Sequence, residues 1–308
     1  MNAIELHGVS KSFRQKRIIV DAIREMSLSV GQGEVFGFVG PNGAGKSTTI
    51  KILLDIINDY RGEVSIFGVS ARDPGSRRGV GYVAESATLY DQLTPMEILG
   101  AGLALHGVRR ADAADWCMRW LERFSVAHVA RRPLRQLSKG TAQRVALAHA
   151  MVTSPRLLIL DEPLSGLDPV GRKDVVDILD EFRHDGGTVF LTSHVLHDVE
   201  RLADRFGLIH RGELRTIRSP NELVGEDETV VVRSSGAHPV EGMHPERDGR
   251  WSMQARRSEL WQVLPALERA GHVLIEIRPS LTLENAFMHY IGQMPEKDSG
   301  GGGYGSDG

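Results

Sequence analysis

The run Gly40-Pro41-Asn42-Gly43-Ala44-Gly45-Lys46-Ser47-Thr48 constrains this chain more than any other stretch. The short apolar segment Glu34–Val39 before it reads as a strand, and in Lys46–Ile57 after it Ile50, Leu53, Leu54 and Ile57 fall at helical spacing. Strand, glycine loop and helix in that order are the context in which a G-x-x-x-x-G-K-[ST] sequence binds phosphate. Glycines let the backbone turn its N–H groups inward and approach phosphate oxygens closely, and the helix N-terminus behind them carries partial positive charge. In such a loop Lys46 is expected to pair with the β- and γ-phosphates of a nucleotide and Ser47 to hold Mg²⁺, with Gly40 through Thr48 forming the cradle.

A second segment supplies the other half of such a site. Leu157-Leu158-Ile159-Leu160 is an apolar strand that runs into Asp161-Glu162-Pro163. There Asp161 is expected to reach the Mg²⁺ shell, and Glu162 to accept a proton from an attacking water as general base. Val170–Arg183 then reads as a helix closed by Gly186-Gly187, and Thr188–Thr192 as another strand. This alternation favours a mostly parallel sheet covered by helices. Between the two halves, roughly residues 94–153 have a helical texture opened by Thr94-Pro95-Met96-Glu97, which combines an N-cap, a proline at the first helical position and a capping-box glutamate.

After Pro220 the pattern changes to strands at Thr229–Arg233, Arg250–Ala255 and His272–Arg278, with helices at Glu259–Ala270 and Leu283–Ile291. Pro265 inside the first of these helices argues for a kink or a break. The final EKDSGGGGYGSDG has almost nothing to bury and is expected to be disordered. The fold class is therefore α/β: a P-loop nucleotide-binding cassette over residues 1–220 with a helical subdomain at about 94–153, a small α+β domain over 221–293, and a tail over 294–308. A length of 308 residues accommodates this, since single cores stop growing at roughly 250–300 residues.

Several function classes drop out on composition. A formal net charge of −3 leaves no electrostatic footprint for nucleic acid. The one cysteine, Cys117, excludes an intramolecular disulfide framework and a cysteine-rich zinc site, and fits a reducing compartment. No apolar run approaches the roughly 18–20 residues needed to cross a bilayer; the longest, Phe36–Val39 and Leu157–Leu160, are strand-sized. The opening MNAIELHGVSKSF lacks the basic-then-apolar layout of a secretory signal, so the expected place is the cytoplasm.

Taken together, residues 3–220 resemble the ATP-binding cassette family. Leu137-Ser138-Lys139-Gly140-Thr141 looks like the family signature usually written LSGGQ, opening a helix that carries Gln143-Arg144. Ser165-Gly166-Leu167-Asp168 resembles the family's D-loop, Thr192-Ser193-His194 its switch histidine, and Phe13 stands where the family places an aromatic residue against adenine. The resemblance implies ATP and Mg²⁺ as ligands, with Asp168 among the nucleotide-site residues and His194 catalytic. A helix N-terminus carrying a serine and a glycine suits an anion. Ser138 and Gly140 are accordingly expected at the γ-phosphate of ATP held by a second chain, in a homodimer or a heterodimer with a similar subunit.

Lys139 and Thr141 depart from the commonest signature, and Glu85 in Gly81-Tyr82-Val83-Ala84-Glu85 stands where the family often has glutamine. Both variants resemble an exporter branch that includes drug-resistance, sodium-extrusion and gliding-motility ATPases. A Glu85 oxygen still suits Mg²⁺, a hard cation. The function implied is ATP hydrolysis that powers export through separate transmembrane permease subunits, at the cytoplasmic face of the membrane. The alternatives are a soluble mechanical ATPase and a regulatory module that does not hydrolyse. The first lacks the tandem cassettes or long coiled coils of such proteins, and the second is disfavoured by Lys46, Asp161, Glu162 and His194 together.

Trp116 and Trp120, one helical turn apart, fit core packing or a partner-facing patch. The pairs Arg109-Arg110 and Arg131-Arg132 fit solvated helix ends or a contact with anionic lipid. His194 and His197 have helical spacing for a metal pair but no third ligand nearby in sequence, which argues against zinc.

Overall fold

The computed structural model describes residues 1–15, 18–86, 89–220, 222 and 229–279. Chain contacts divide it into two compact units, Met1–Pro220 and Asn221–Gly308. The strands of unit one are β1 (Asn2–Gln15), β2 (Ile18–Gly31), β3 (Val35–Val39), β4 (Arg61–Ile66), β5 (Val69–Ser70), β6 (Val80–Val83), β7 (Leu157–Asp161), β8 (Thr188–Ser193), β9 (Arg205–His210) and β10 (Glu213–Arg218). Its helices are α1 (Lys46–Leu53), α2 (Pro95–Leu105), α3 (Ala113–Arg123), α4 (Lys139–Met151), α5 (Pro169–His184) and α6 (Leu196–Leu202).

Two sheets share this unit. One is antiparallel, in the order β2-β1-β4-β5; the other runs β10-β9-β3-β8-β7-β6. In the second, β3 pairs in parallel with β8 and β9, and β7 with β8 and β6, while β10 closes the edge antiparallel to β9. β3, β7 and β8 are buried at every position, which is why they read as continuous apolar runs rather than alternating ones. Phe36 and Phe38 of β3 pack on Phe190 of β8, with ring centroids 5.9 and 5.7 Å apart. That cluster continues through Ile50, Ile52 and Leu53 of α1 to Ile4, Leu6, Met26 and Val64 of the antiparallel sheet, joining both sheets around one helix.

α1 ends at Leu53, four residues before the expected Ile57. Asp55 turns into the left-handed region at φ 57, and Leu54 and Ile57 still reach the core from the turn. The helical spacing of those apolar residues therefore reports burial beyond the end of the helix. α2 begins as its sequence dictates: Thr94 Oγ1 accepts the Glu97 N–H, Glu97 accepts the Thr94 N–H, and Pro95 occupies the first turn. On α3, Trp116 Nε1 donates to the carbonyl of Val152 at 2.8 Å, which ties α3 to the end of α4, and its ring meets Trp120 edge to face. Arg110 lies over the Trp116 ring and pairs with Asp112. Two flanking arginines hold the Asp112 carboxyl down at about 2.

Unit two contains β11 (Thr229–Ser235), β12 (His244–Pro245), β13 (Arg250–Arg256) and β14 (Val273–Pro279) in the antiparallel order β12-β13-β11-β14, with α7 (Leu260–Arg269). α7 matches the helix expected over Glu259–Ala270 and runs through Pro265 without a break. The proline removes one bond, to Trp261 near the exposed start of the helix. Val230, Val232 and Leu267 form the small core that holds α7 to the sheet. The expected helix at Leu283–Ile291 and the tail at 294–308 lie outside the described residues.

Candidate functional site

Parallel pairing determines where the functional residues meet. Val39 of β3 lies opposite Ser193 of β8, Asp161 of β7 opposite Thr192, and Val83 of β6 opposite Leu160. The loops that leave these strands carry the glycine run, Glu162, His194 and Glu85, so all four emerge at the carboxyl ends of the parallel strands. That end of the sheet is where open α/β sheets bind ligands. A cavity of about 290 Å³ opens there, lined by Pro41, Asn42, Gly43, Gly45, Lys46, Ser47, Thr48, Glu85 and Glu162, with Ala22 from β2.

The loop holds its shape through close approaches that only glycine permits. A Cβ at Gly40 would lie 2.3 Å from the Ile209 carbonyl oxygen. Gly45 sits at φ 115, where a Cβ would come 2.5 Å from the carbonyl of Ala22. Gly45 also opens α1, leaving the first N–H groups of that helix beside the cavity.

Lys46 is buried and satisfies its ammonium locally. Its Nζ donates to the Gly40 carbonyl at 2.6 Å and lies 3.4 Å from Glu162 Oε1. That second approach is close enough for ion pairing but not aligned as a hydrogen bond, so Oε1 is a buried oxygen without a hydrogen-bond donor. The other oxygen, Oε2, receives the backbone N–H of His194 at 3.3 Å and lies 2.8 Å from His194 Nδ1. Glu162 itself adopts φ 51, left-handed for a residue with a Cβ, which costs on the order of 1–2 kcal/mol and turns its side chain back toward the loop. A buried carboxylate oriented by a histidine and facing a lysine at the mouth of a phosphate-shaped loop has the geometry of an acid–base group.

The remaining expected residues divide into those at the cavity and those away from it. Glu85 is exposed on its rim. Asp161 stands behind it, buried at the end of β7, and burial together with the Asp161 charge pushes the Tyr82 phenol up. Phe13 is half-buried and is not among the lining residues; Lys11 Nζ sits 4.8 Å from the centre of its ring. Ser138 caps α4 by accepting the Thr141 N–H, and neither it nor Gly140 lines the cavity of its own chain. Asp168 caps α5 through the Gly171 N–H at 2.8 Å and lies 3.5 Å from Arg144 of α4. His197 is exposed beside Glu200, and among the described residues no group of three metal-ligating side chains occurs.

Comparison with known proteins agrees with this geometry. A family model described as ABC transporter matches residues 23–165. Daunorubicin resistance ATP-binding protein DrrA3 of Streptomyces coeruleorubidus is 33% identical, over 94% of this chain and 96% of that protein. The chain belongs to the ABC transporter family. It is an ATP-binding subunit of that family, and its chemistry is ATP hydrolysis for transport. A second relative of this ABC ATPase, the fluoroquinolones export ATP-binding protein of Mycobacterium tuberculosis, is 34% identical over 71% of this chain and 72% of that one. The fold also matches a solved dimeric bacterial ABC transporter cassette with a TM-score of 0.66 and 26% identity, covering 70% of this chain and 98% of the other. Cassettes of this family dimerise. Among the described residues of this one, no helix is long and apolar enough to cross a membrane.

Residues with no assigned role in the sequence also reach the site. Ala22 lines the cavity, but β2 carries no loop motif that would mark it. Gln143, buried on α4, donates to the carbonyl of Pro163 beside Glu162 at 3.3 Å, so the signature helix touches the acid segment directly. Thr192 bonds to both acids' strand end, and only its place two residues before His194 hinted at a function.

Proposed function

We propose that this chain binds Mg-ATP in the cavity at the Gly40–Thr48 loop and hydrolyses it with Glu162 as general base, in a dimer that drives export through separate permease subunits at the cytoplasmic face of the membrane. The observation that carries the reading is Glu162 itself: buried, oriented by His194, and with an oxygen left without a donor at the mouth of the loop.

In this reading the loop N–H groups receive the phosphate oxygens, and Lys46 exchanges the Gly40 carbonyl and Glu162 for the β- and γ-phosphates. Released from Lys46, Glu162 orients the attacking water and takes its proton, while His194 keeps the carboxylate in place. The donor set of Ser47, Glu85 and Asp161 is all oxygen, which suits Mg²⁺. When bound there, Mg²⁺ would neutralise charge developing on the phosphate oxygens. Phe13 faces adenine once Lys11 gives way. Ser138 and Gly140, placed on an exposed helix N-terminus, reach the γ-phosphate held by the second chain, and Asp168 lies on the segment beside them. Export rather than import is supported by the relatives whose names record drug resistance and drug export.

The assay that tests the reading is phosphate release from Mg-ATP by the purified full chain. Turnover that requires both ATP and a divalent cation is expected; ATP binding without phosphate release would leave a regulatory module instead. We also propose that the cassette closes as a folding unit at Pro220, ahead of the small domain at 221–293. A 1–220 fragment is expected to unfold cooperatively and to bind ATP, measured by thermal melting with and without nucleotide. An insoluble or non-cooperative fragment would place part of its core in the second unit.

A further inference from the structure

Thr192 is fully buried at the end of β8, directly opposite Asp161 in the parallel ladder. Its hydroxyl donates to Asp161 Oδ1 at 2.5 Å and accepts the backbone N–H of Glu162 at 3.1 Å. A threonine hydroxyl carries one proton and two lone pairs, so this single group serves both the Asp161 carboxylate and the N–H of the peptide that joins Asp161 to Glu162. We propose that Thr192 is a positioning residue for hydrolysis: it fixes the Asp161 carboxylate and the peptide plane from which Glu162 leaves β7. The inference rests on the reading of Glu162 as general base.

Three observations support it. First, Glu162 leaves the strand at φ 51, a conformation a glutamate does not hold without external support, and the Thr192 bond engages the N–H of that same residue. Second, the direction so imposed brings the Glu162 carboxylate to His194 and Lys46 rather than to solvent. Third, Asp161 Oδ1 and the Glu162 N–H are in buried surroundings, so loss of the hydroxyl leaves both to find new partners, and any partner they find moves a carboxylate. The Thr192 methyl is a separate matter: the side chain is fully buried, and the residue stands beside Phe38 of β3, a core residue, in the parallel ladder. Hydroxyl and methyl are thus separable by substitution.

The test uses the full chain and three variants. Thr192→Val keeps the shape and removes the hydroxyl; Thr192→Ser keeps the hydroxyl and removes the methyl; Thr192→Ala removes both. With ATP and saturating Mg²⁺, so that a loosened Asp161 does not limit metal binding, Thr192→Val is expected to lose roughly 10- to 100-fold in kcat, the scale of a misplaced reacting group, while KM for ATP changes by less than about threefold. Thr192→Ser should return kcat to within about threefold of the parent despite the lost methyl. A merely structural residue gives the opposite order, with valine tolerated and serine impaired, because the core loses a methyl.

If Thr192→Val does not fold, the comparison of Thr192→Ser with Thr192→Ala decides, since both lack the methyl and only one has the hydroxyl. A readout independent of turnover completes the set. Thr192→Val added to Glu162→Gln should leave ATP-dependent dimer formation intact by gel filtration, because closure does not need the base. Parent-like turnover of Thr192→Val overturns the proposal. So does equal impairment of the serine and alanine variants, a rise in KM matching the fall in kcat, or loss of the dimer in the double variant. Parent-rate hydrolysis by Glu162→Gln alone is a different failure and strikes the base assignment instead.

Discussion

Lys46→Ala should abolish the stabilisation that Mg-ATP gives this chain. A ligand at a hundred times its Kd raises stability by about 2.7 kcal/mol, an easily measured shift in melting temperature. Lys46 is the buried cation at the loop, and a charge-assisted contact to each of two phosphates contributes on the order of 1.5–3 kcal/mol. Removing it is therefore expected to weaken ATP by roughly 10²-fold or more, enough to erase the shift at ordinary nucleotide concentrations. The variant should still fold without ligand, since the Gly40 carbonyl that Lys46 now occupies is free to take water from the open cavity. Melting curves with and without Mg-ATP check this. An unchanged ATP-dependent shift in the variant would remove the loop from the nucleotide site.

That prediction was open to a reading of the sequence alone, and the reason is physical. Phosphate binding by backbone N–H groups demands glycines at fixed places, and those places are visible as letters: Gly40 because Ile209 crowds it, Gly45 because its φ is 115. The same holds for β3, β7 and β8, which are buried on both faces and so appear as unbroken apolar runs. By contrast β1 and β2, the two longest strands, were not legible. Their pairing is interrupted by register shifts between Leu6 and Val9 and between Lys11 and Ser12, and one face carries charge, so the alternation that marks a strand is scrambled. With them went Ala22, which reaches the cavity only because of that pairing.

Side-chain placement divided in a similar way. Glu162 and His194 were assigned by their order along the chain, yet their contact at 2.8 Å follows from the parallel register of β7 and β8, which no local pattern encodes. Phe13 shows the reverse: its position in the sequence fits an adenine contact, while its ring faces Lys11 at 4.8 Å. The face of this half-buried ring attracts the positive charge of Lys11. Asp168 likewise carries a second duty as the cap of α5, which the expected helix start at Val170 did not include.

Glu162→Gln is expected to have the largest effect on turnover of any conservative change in the chain. Glutamine keeps the size of the side chain and a carbonyl oxygen for the His194 N–H, so the left-handed turn at residue 162 keeps its anchor. It cannot accept a proton at neutral pH, and loss of general-base catalysis lowers kcat by roughly 10²- to 10⁴-fold. ATP affinity should stay the same or rise. In the parent, nucleotide must draw Lys46 away from a carboxylate 3.4 Å off, whereas in the variant that opposing charge is gone. A bound and unhydrolysed ATP also keeps its γ-phosphate for the signature residues of the second chain. The variant with Mg-ATP should therefore elute as a dimer at a protein concentration where the parent, turning over, elutes as a monomer. Phosphate release and gel filtration on the same preparation read both effects, with membrane subunits absent so that they do not hold the pair together. If the variant hydrolyses ATP at the parent rate, Glu162 is not the base. If it is inactive yet monomeric with saturating ATP, the base stands, and the composite site formed by Ser138 and Gly140 across the dimer does not.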